Sequence, residues 1–512
     1  MRKAIGAVLL LGIGAGLARG AEPSEAVTIR PIRPDRQLER LIALFRGARS
    51  SDPASALAAW KRATGGTRGL GKPLEAAIAA LNPEMITEFR TLDGAELGLG
   101  LDPGDGHVRW YATVPRDDGT VAAMATALTL TGGGSDPPWN GVTIDRLGPP
   151  GSAVVARVPG VLVVAGSRDE LPVALARARA GVDDRPPVET GWWLRLDPLA
   201  LVASGPVCRR RLVEVPRASG CQGAEAVAGL EGETLTLAIS ARFAAAAPGA
   251  ATTIDPAWLE WLPASGTVAS ASVALDAGAR AWDAAFALAD RVERVDPARD
   301  RVAPLRTRLN LLATAAGVRP EVDLWPKLRG LSGSILVDPS GDVAGALLVL
   351  HAADPPAADR IATRVLPRLV ASYLKGQEPT DPADGVQRLA RLSGRPLEVT
   401  RREATVLIGW GESALAAGLG AKARPERSAA ATLRASWSPT PPRRAGAFWP
   451  SRLRALAPPD SPLAQALADA PPILWSGRDD VAGSHDTLSW TGLRGLVRRF
   501  LERIPLADAP ED

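Results

Sequence analysis

Cysteine and histidine are almost missing from this 512-residue chain, which has two of the first and three of the second. That scarcity excludes most metal chemistry. His107, His351 and His485 have no other His or Cys at ligand spacing, so a zinc site needs long-range convergence. The turns holding Asp102 and Asp105, and Asp338 and Asp342, offer two carboxylates each, where calcium takes roughly six to eight oxygens. No glycine-rich phosphate loop occurs, because "GGTRGLGK" (Gly65 to Lys72) lacks the spacing and a following Ser or Thr. No cofactor is implied. Lysine is scarce as well, six residues against 54 arginines, a bias that reflects coding composition more than chemistry.

Long apolar runs are missing beyond the N-terminus, which leaves no transmembrane segment in the body of the chain. The one run present is "AIGAVLLLGIGAGLA" (Ala4 to Ala18), preceded by "MRK" and followed by "ARG". Fifteen helical residues span about 22 Å, short of a bilayer core. A charged start, an apolar middle and small residues before Ala21 predict a signal peptide over residues 1–20, cleaved near Gly20. The expected location is therefore outside the cytoplasm: periplasm, envelope surface or extracellular. Removing Arg2, Lys3 and Arg19 lowers the formal net charge from +4 to +1, so no nucleic-acid partner is expected.

In an exported protein the pair Cys208 and Cys221, in "CRRRLVEVPRASGC", is read as a disulfide. Two thiols without a nearby His do not complete a zinc shell. The loop they close would contribute roughly 3 kcal/mol in the chain-entropy account.

The organisation is that of an internal repeat. "LGLGLDPGDGHVRWYATVP" from Leu97 returns 236 residues later as "GSILVDPSGDVAGALLVLHAADP" from Gly333. Each is an apolar run, an Asp-Pro turn and a second apolar run, the composition of a hairpin. A helix follows each, then three short strands: "VTIDRLGPPGSAVVARVPGVLVVAGS" in one half, "VQRLARLSGRPLEVTRREATVLIGWG" in the other. Helices "RDELPVALARA" and "ESALAAGLGA" come next, then strands "GWWLRLDP" and "ATLRASWSP", and each half ends on a further alternating run. The predicted fold is α+β: two tandem copies of a mixed, mostly antiparallel sheet covered by helices, over residues 21–252 and 253–512. "PTPPRRAGAFWPSRLRALAPPDSP" (Pro439 to Pro462) escapes the repeat and is read as an extended surface excursion.

The stretches "LPASGTVASASVALD", "LRGLSGSILVDPSGDVAGALLVL" and "RREATVLIGWGESALAAGL" resemble uncharacterised exported proteins of the domain-of-unknown-function type, built from two α+β repeats behind a signal peptide. The resemblance rests on pattern, covers most of the chain after residue 20, and implies an envelope or extracellular setting with no known activity.

Two chemistries remain. Ser413 in "GWGESALAAG" sits between an apolar strand and a helix, and "GESA" resembles the corresponding stretch of carboxylesterases. With His485 and intervening aspartates it supplies the order of a serine hydrolase. Leu415 stands where that turn needs glycine, however, and the other half has Asp169 and Glu170 near the matching positions. The plainer alternative is that Glu412 and Ser413 satisfy amides in the first turn of a helix. The other chemistry is a basic surface of Arg434, Arg443, Arg444, Arg452 and Arg454, interleaved with Trp437, Phe448 and Trp449. It suits an anionic envelope polymer or lipid headgroups, or is simply a solvated arginine-rich face. Finally, Trp192 and Trp193 must point to opposite faces of one strand; one fills the core and the other needs a second layer or a ligand. The combined expectation is an exported, non-catalytic binding or assembly module, with the hydrolase as its rival.

Overall fold

The computed structural model describes residues 27–44, 90, 92–101, 108–129, 134–149, 152–180, 189–196, 221–243, 252–275, 305–373, 385–437, 440–452, 462–480 and 483–503. The expected signal peptide, residues 1–20, lies outside them. Contacts divide the chain into a first unit, Met1–Ala244 with Gly492–Asp512, and a second, Ala245–Thr491. The C-terminal residues expected in the second repeat therefore belong to the first unit.

In the first unit the strands are β1 (Val27–Ile32), β2 (Glu96–Leu101), β3 (Val108–Pro115), β4 (Ser135–Trp139), β5 (Val142–Arg146), β6 (Val154–Val158), β7 (Val161–Ala165), β8 (Gly191–Leu196), β9 (Cys221–Glu231) and β10 (Thr234–Phe243). They pair in the order β4-β5-β6-β7-β3-β2-β1-β8-β9-β10. The second unit has β11 (Thr267–Ala274), β12 (Leu328–Val337), β13 (Val343–Ala352), β14 (Val386–Leu392), β15 (Arg395–Arg402), β16 (Thr405–Trp410), β17 (Arg444–Phe448), β18 (Ile473–Asp479) and β19 (Gly483–Trp490). Their order is β14-β15-β16-β13-β12-β11-β17-β18-β19. From β5 onward the first order equals the second, strand for strand; β4 has no counterpart among the described residues.

The expected pair of tandem mixed sheets is corrected by this pairing. Within each unit every strand pairing among the described residues is antiparallel, in one run of ten strands in the first unit and one of nine in the second, so neither sheet is mixed. Short turns force this locally. In the second Asp-Pro turn, Asp338 accepts the Asp342 amide at 3.1 Å, and Gly341 takes φ +90, which only glycine adopts without strain. The first such turn, residues 102–107, lies outside the described residues, but Leu101 still pairs with Val108.

Helices lie on both faces. In the first unit, α1 (Pro34–Ala43) packs on β8 and β9. Helix α2 (Asp118–Thr129) covers Trp110, Val155 and Val164, while α3 (Leu171–Ala180) covers Tyr111, Ile144 and Val163. In the second unit, the helix starting at α4 (Pro355–Arg360) covers Leu350 and Val406, and α5 (Ala414–Ala423) covers Leu347 and Leu407. Burial on both faces explains why β7 reads "VLVVA" with no alternation.

Two further expectations fail. "ATLRASWSP" is not a strand: Ala430–Arg434 form α6. The strand in that position is β17, inside the supposed surface excursion, with Ala445, Gly446 and Ala447 buried.

Candidate functional site

The first unit holds a buried ionic centre. Along β1, Thr28 and Arg30 point to the same side, and the register brings Arg30 beside Glu96 at the start of β2. Their side chains are only 3% and 1% exposed. Arg30 Nε donates to Glu96 Oε2 at 2.6 Å, and the guanidinium lies over the Trp193 ring at 4.9 Å. Arg177, from α3, donates through Nε to Glu96 Oε1 at 2.8 Å, and Tyr111 adds a hydroxyl at 3.3 Å. One carboxylate thus serves two guanidiniums in a place that water scarcely reaches, where each charge is tolerable only because the others stand beside it. Above it opens a cavity of about 490 Å³, walled by Pro31, Ile32, Gly94, Pro115 and Val161, with Arg177 at its polar end. That volume and mixture suit a small-molecule site.

The second unit shows the same place with different chemistry. Ile29 pairs with Leu97, and Ala271 with Gly333, across the two equivalent strand pairs. Arg30 and Glu96 therefore correspond to Ser272 and Ser332, which are hydrogen-bonded at 2.8 Å. Ser332 continues to His351 Nε2 at 2.9 Å. The imidazole stacks on Trp258, centroids 4.5 Å apart and planes 8° from parallel. Burial pushes the His351 imidazolium down to about 3. Trp258 also lies against Gly330, where any Cβ would overlap its ring.

The sequence-predicted basic surface is dispersed and largely paired. Arg444 donates to both oxygens of Asp486 at 2.8 and 2.9 Å and to Asp479 at 2.6 Å. Arg443 pairs with Asp479 at 2.9 Å. Burial alone would raise the Asp486 carboxyl, but Arg444, Ser484 and Trp475 hold it below its usual range. Arg452 donates to the carbonyls of Ala264 and Thr267, and Arg434 to that of Pro256 at 2.9 Å. Arg454 lies outside the described residues. Since these guanidiniums brace the fold, Arg444→Gln should lower stability by about 1–3 kcal/mol, leaving two aspartates short of donors. Heparin retention at a fixed salt should stay unchanged; urea unfolding and a salt-eluted heparin column check both halves.

Ser413 and His485 are not brought together. Ser413 is the N-cap of α5 without a side-chain cap bond, so the capping expected of it fails too. It follows β16, six strand positions from β19, where His485 bonds Asp480 at 3.1 Å. The lateral gap is about 29 Å at the usual strand spacing. Cys221 is buried at the head of β9, its thiol 3.5 Å from the Gly223 carbonyl; Cys208 lies outside the described residues. Trp193 is the core member of its pair at 2% exposure, and Trp192 is half-buried. Asp338 and Asp342 share their turn with Ser340, an ordinary hydrogen-bonded turn.

Arg30, Glu96 and Arg177 were missed as a site because 66 and 81 residues separate the partners. A usable signal was present: Arg30 is the one charge inside the short strand "VTIRPI".

No family model matches the chain, and no curated protein does. Among solved structures, "Structure of crystal form IV of TP0453" matches 44% of this chain and 81% of its own at 12% identity, TM-score 0.22. "Structure of crystal form III of TP0453" matches 45% and 83% at 13% identity, TM-score 0.23. Likenesses at such scores establish neither fold nor function.

Proposed function

We propose that this chain is an exported, non-catalytic binding module of the cell envelope whose ligand seat is the cavity over Arg30, Glu96 and Arg177. The observation that carries it is an apolar cavity ending on a buried, charge-paired ionic centre. The equal strand orders support an internal duplication in which one copy keeps a filled core and the other an opening. The leader supports export. Binding through the arginine-rich face is less well supported, since Arg443 and Arg444 are neutralised by Asp479 and Asp486.

The test is thermal unfolding of the full chain with fractionated small molecules from envelope extract, alongside Val161→Trp. Val161 is half-buried at the cavity wall, so an indole there fills the space. A fraction that saturates the site a hundredfold should stabilise the native chain by about 2.7 kcal/mol and leave the variant unmoved. No shift from any fraction, or equal shifts in both proteins, overturns the seat.

A further inference from the structure

We infer that the open face of the second unit's sheet holds a long-chain fatty-acid anion, its carboxylate on Arg395 and its chain across the strands. This site is independent of the seat in the first unit. Strand register sets the surface. Trp410 pairs with Ala346, Ala346 with Ile335, and Ile335 with Ala269. Ala269 pairs with Phe448, which reaches Trp490 through Ile473. Directly paired residues share a face. One apolar row therefore crosses seven strands, from β16 through to β19, about 29 Å at the usual spacing. A second row beside it includes Leu348, Gly333 and Ala271. Neither row carries a charge.

The other face of these strands is sealed, and this one is not. The alternate residues Ser270, Ser334 and Leu347 are buried, whereas Ile335 is 45% and Leu348 42% exposed. The helix starting at α4 covers Leu350 and Val406, one row further on. No core among the described residues includes Trp410, Phe448 or Trp490. A contiguous open patch of large apolar side chains marks a binding surface. Its area is roughly 400 Å² from strand spacing and rise, half of the about 800 Å² per partner that a standard stable interface buries. That is too little for a second copy of the chain and ample for one acyl chain.

The charge at one end of the strip fixes the ligand's head. Arg395 stands two residues before Leu397, which pairs with Trp410, so it shares the open face. Its guanidinium lies 5.2 Å from the centroid of the Trp410 ring. One of its five donors goes to the Val343 carbonyl. The others have no partner among the described residues, and no described carboxylate pairs with them. The Trp410 indole N–H is given to the Leu392 carbonyl at 2.9 Å, so that ring offers the ligand carbon alone. A fatty-acid carboxylate suits the unpaired side of the guanidinium, in charge-assisted bonds. The tail then runs over Ala346, Gly333 and Ala271, small residues that let it lie close to the strands. A second copy set strip on strip would instead bury Arg395 against rows that hold no carboxylate, a costly arrangement.

Titration calorimetry on the full chain tests this with laurate below its micellar concentration, and with dodecanol and hexanoate beside it. Laurate should bind most tightly. Dodecanol, which lacks the charge, should be roughly tenfold weaker. Hexanoate, six methylenes shorter, should be on the order of a hundredfold weaker. Arg395→Gln should bring laurate to the affinity of dodecanol and leave dodecanol unchanged. Leu348→Asp, at an exposed position, should weaken both about tenfold or more while far-ultraviolet circular dichroism stays the same. Val161→Trp, which fills the first unit's cavity, should leave laurate binding intact. Laurate binding lost in Val161→Trp would place the fatty acid in the first unit and overturn this site alone. Dodecanol equal to laurate, Leu348→Asp without effect, or no laurate binding at all overturns it as well, whatever an extract fraction does at the first unit's seat. So does a concentration-dependent dimer that Leu348→Asp dissociates, because the face then belongs to a second copy.

Discussion

Glu96→Leu should destabilise the first unit by about 3–5 kcal/mol, the usual cost of removing one partner from a buried charge pair. Leucine matches the lost side chain closely in size, so the cost is electrostatic and not a cavity term. With Glu96 gone, Arg30 keeps the Trp193 face but loses its carboxylate at 3% exposure. Arg177 is more exposed and can turn toward water, so Arg30 dominates the loss. The second unit supplies the natural control, because its Ser272–Ser332 pair occupies the same register without any charge. The double change Arg30→Ser with Glu96→Ser should therefore recover much of the stability lost in the single variant. Since two units need not unfold together, hydrogen exchange in β1–β3 peptides is the appropriate readout. A Glu96→Leu penalty below about 1 kcal/mol, or a double variant no better than the single, would show that the ionic centre is not a coupled unit.

Hairpins and helix positions were legible because their signals are local. The Asp-Pro turns, the three-strand meanders and the helices after "VVAGS" and "IGWG" all lie within a few residues of the features that specify them. What failed was non-local. β17 is flanked by Pro441, Pro442 and Pro450, which suggest a loop, yet proline is tolerated where a strand begins or ends. Its core is small, Ala-Gly-Ala, because the Trp475 ring of the next strand lies over Gly446. No β-propensity scale favours such a strand. The alanines of "ATLRAS" prefer the helix they form. The site escaped for a related reason. In "ELGLGL" the leucines mark one face, which casts Glu96 as a solvent residue on the other. Both faces of this sheet carry helices, so the polar face is buried too and its charges meet partners from distant strands. Pairing across long connections leaves no trace in local composition. That limit also hid the wholly antiparallel pairing behind an expectation of mixed sheets.

Acidification should unfold the second unit through His351, and His351→Leu should remove that sensitivity. The imidazole is 2% exposed; Nε2 meets Ser332, and Nδ1 has no hydrogen-bond partner among the described residues. No described carboxylate bonds to the ring, so burial alone sets its folded value near 3, against about 6.5 when unfolded. The unfolded chain therefore takes up a proton that the native one refuses. Stability from this group is complete above pH 6.5 and falls as pH drops towards 3. The slope approaches 1.4 kcal/mol per pH unit, roughly 2 kcal/mol between pH 6.5 and 4.5. In the leucine variant Ser332 keeps its bond to Ser272, so the hydroxyl is not orphaned, and the loss at neutral pH should be small. The two stability curves should then cross near pH 6, with the variant the more stable below. Hydrogen exchange in β12 and β13 peptides across that range measures both. Parallel curves would mean that the proton enters His351 without opening the unit, and that Trp258 yields its place more readily than the stacked geometry implies.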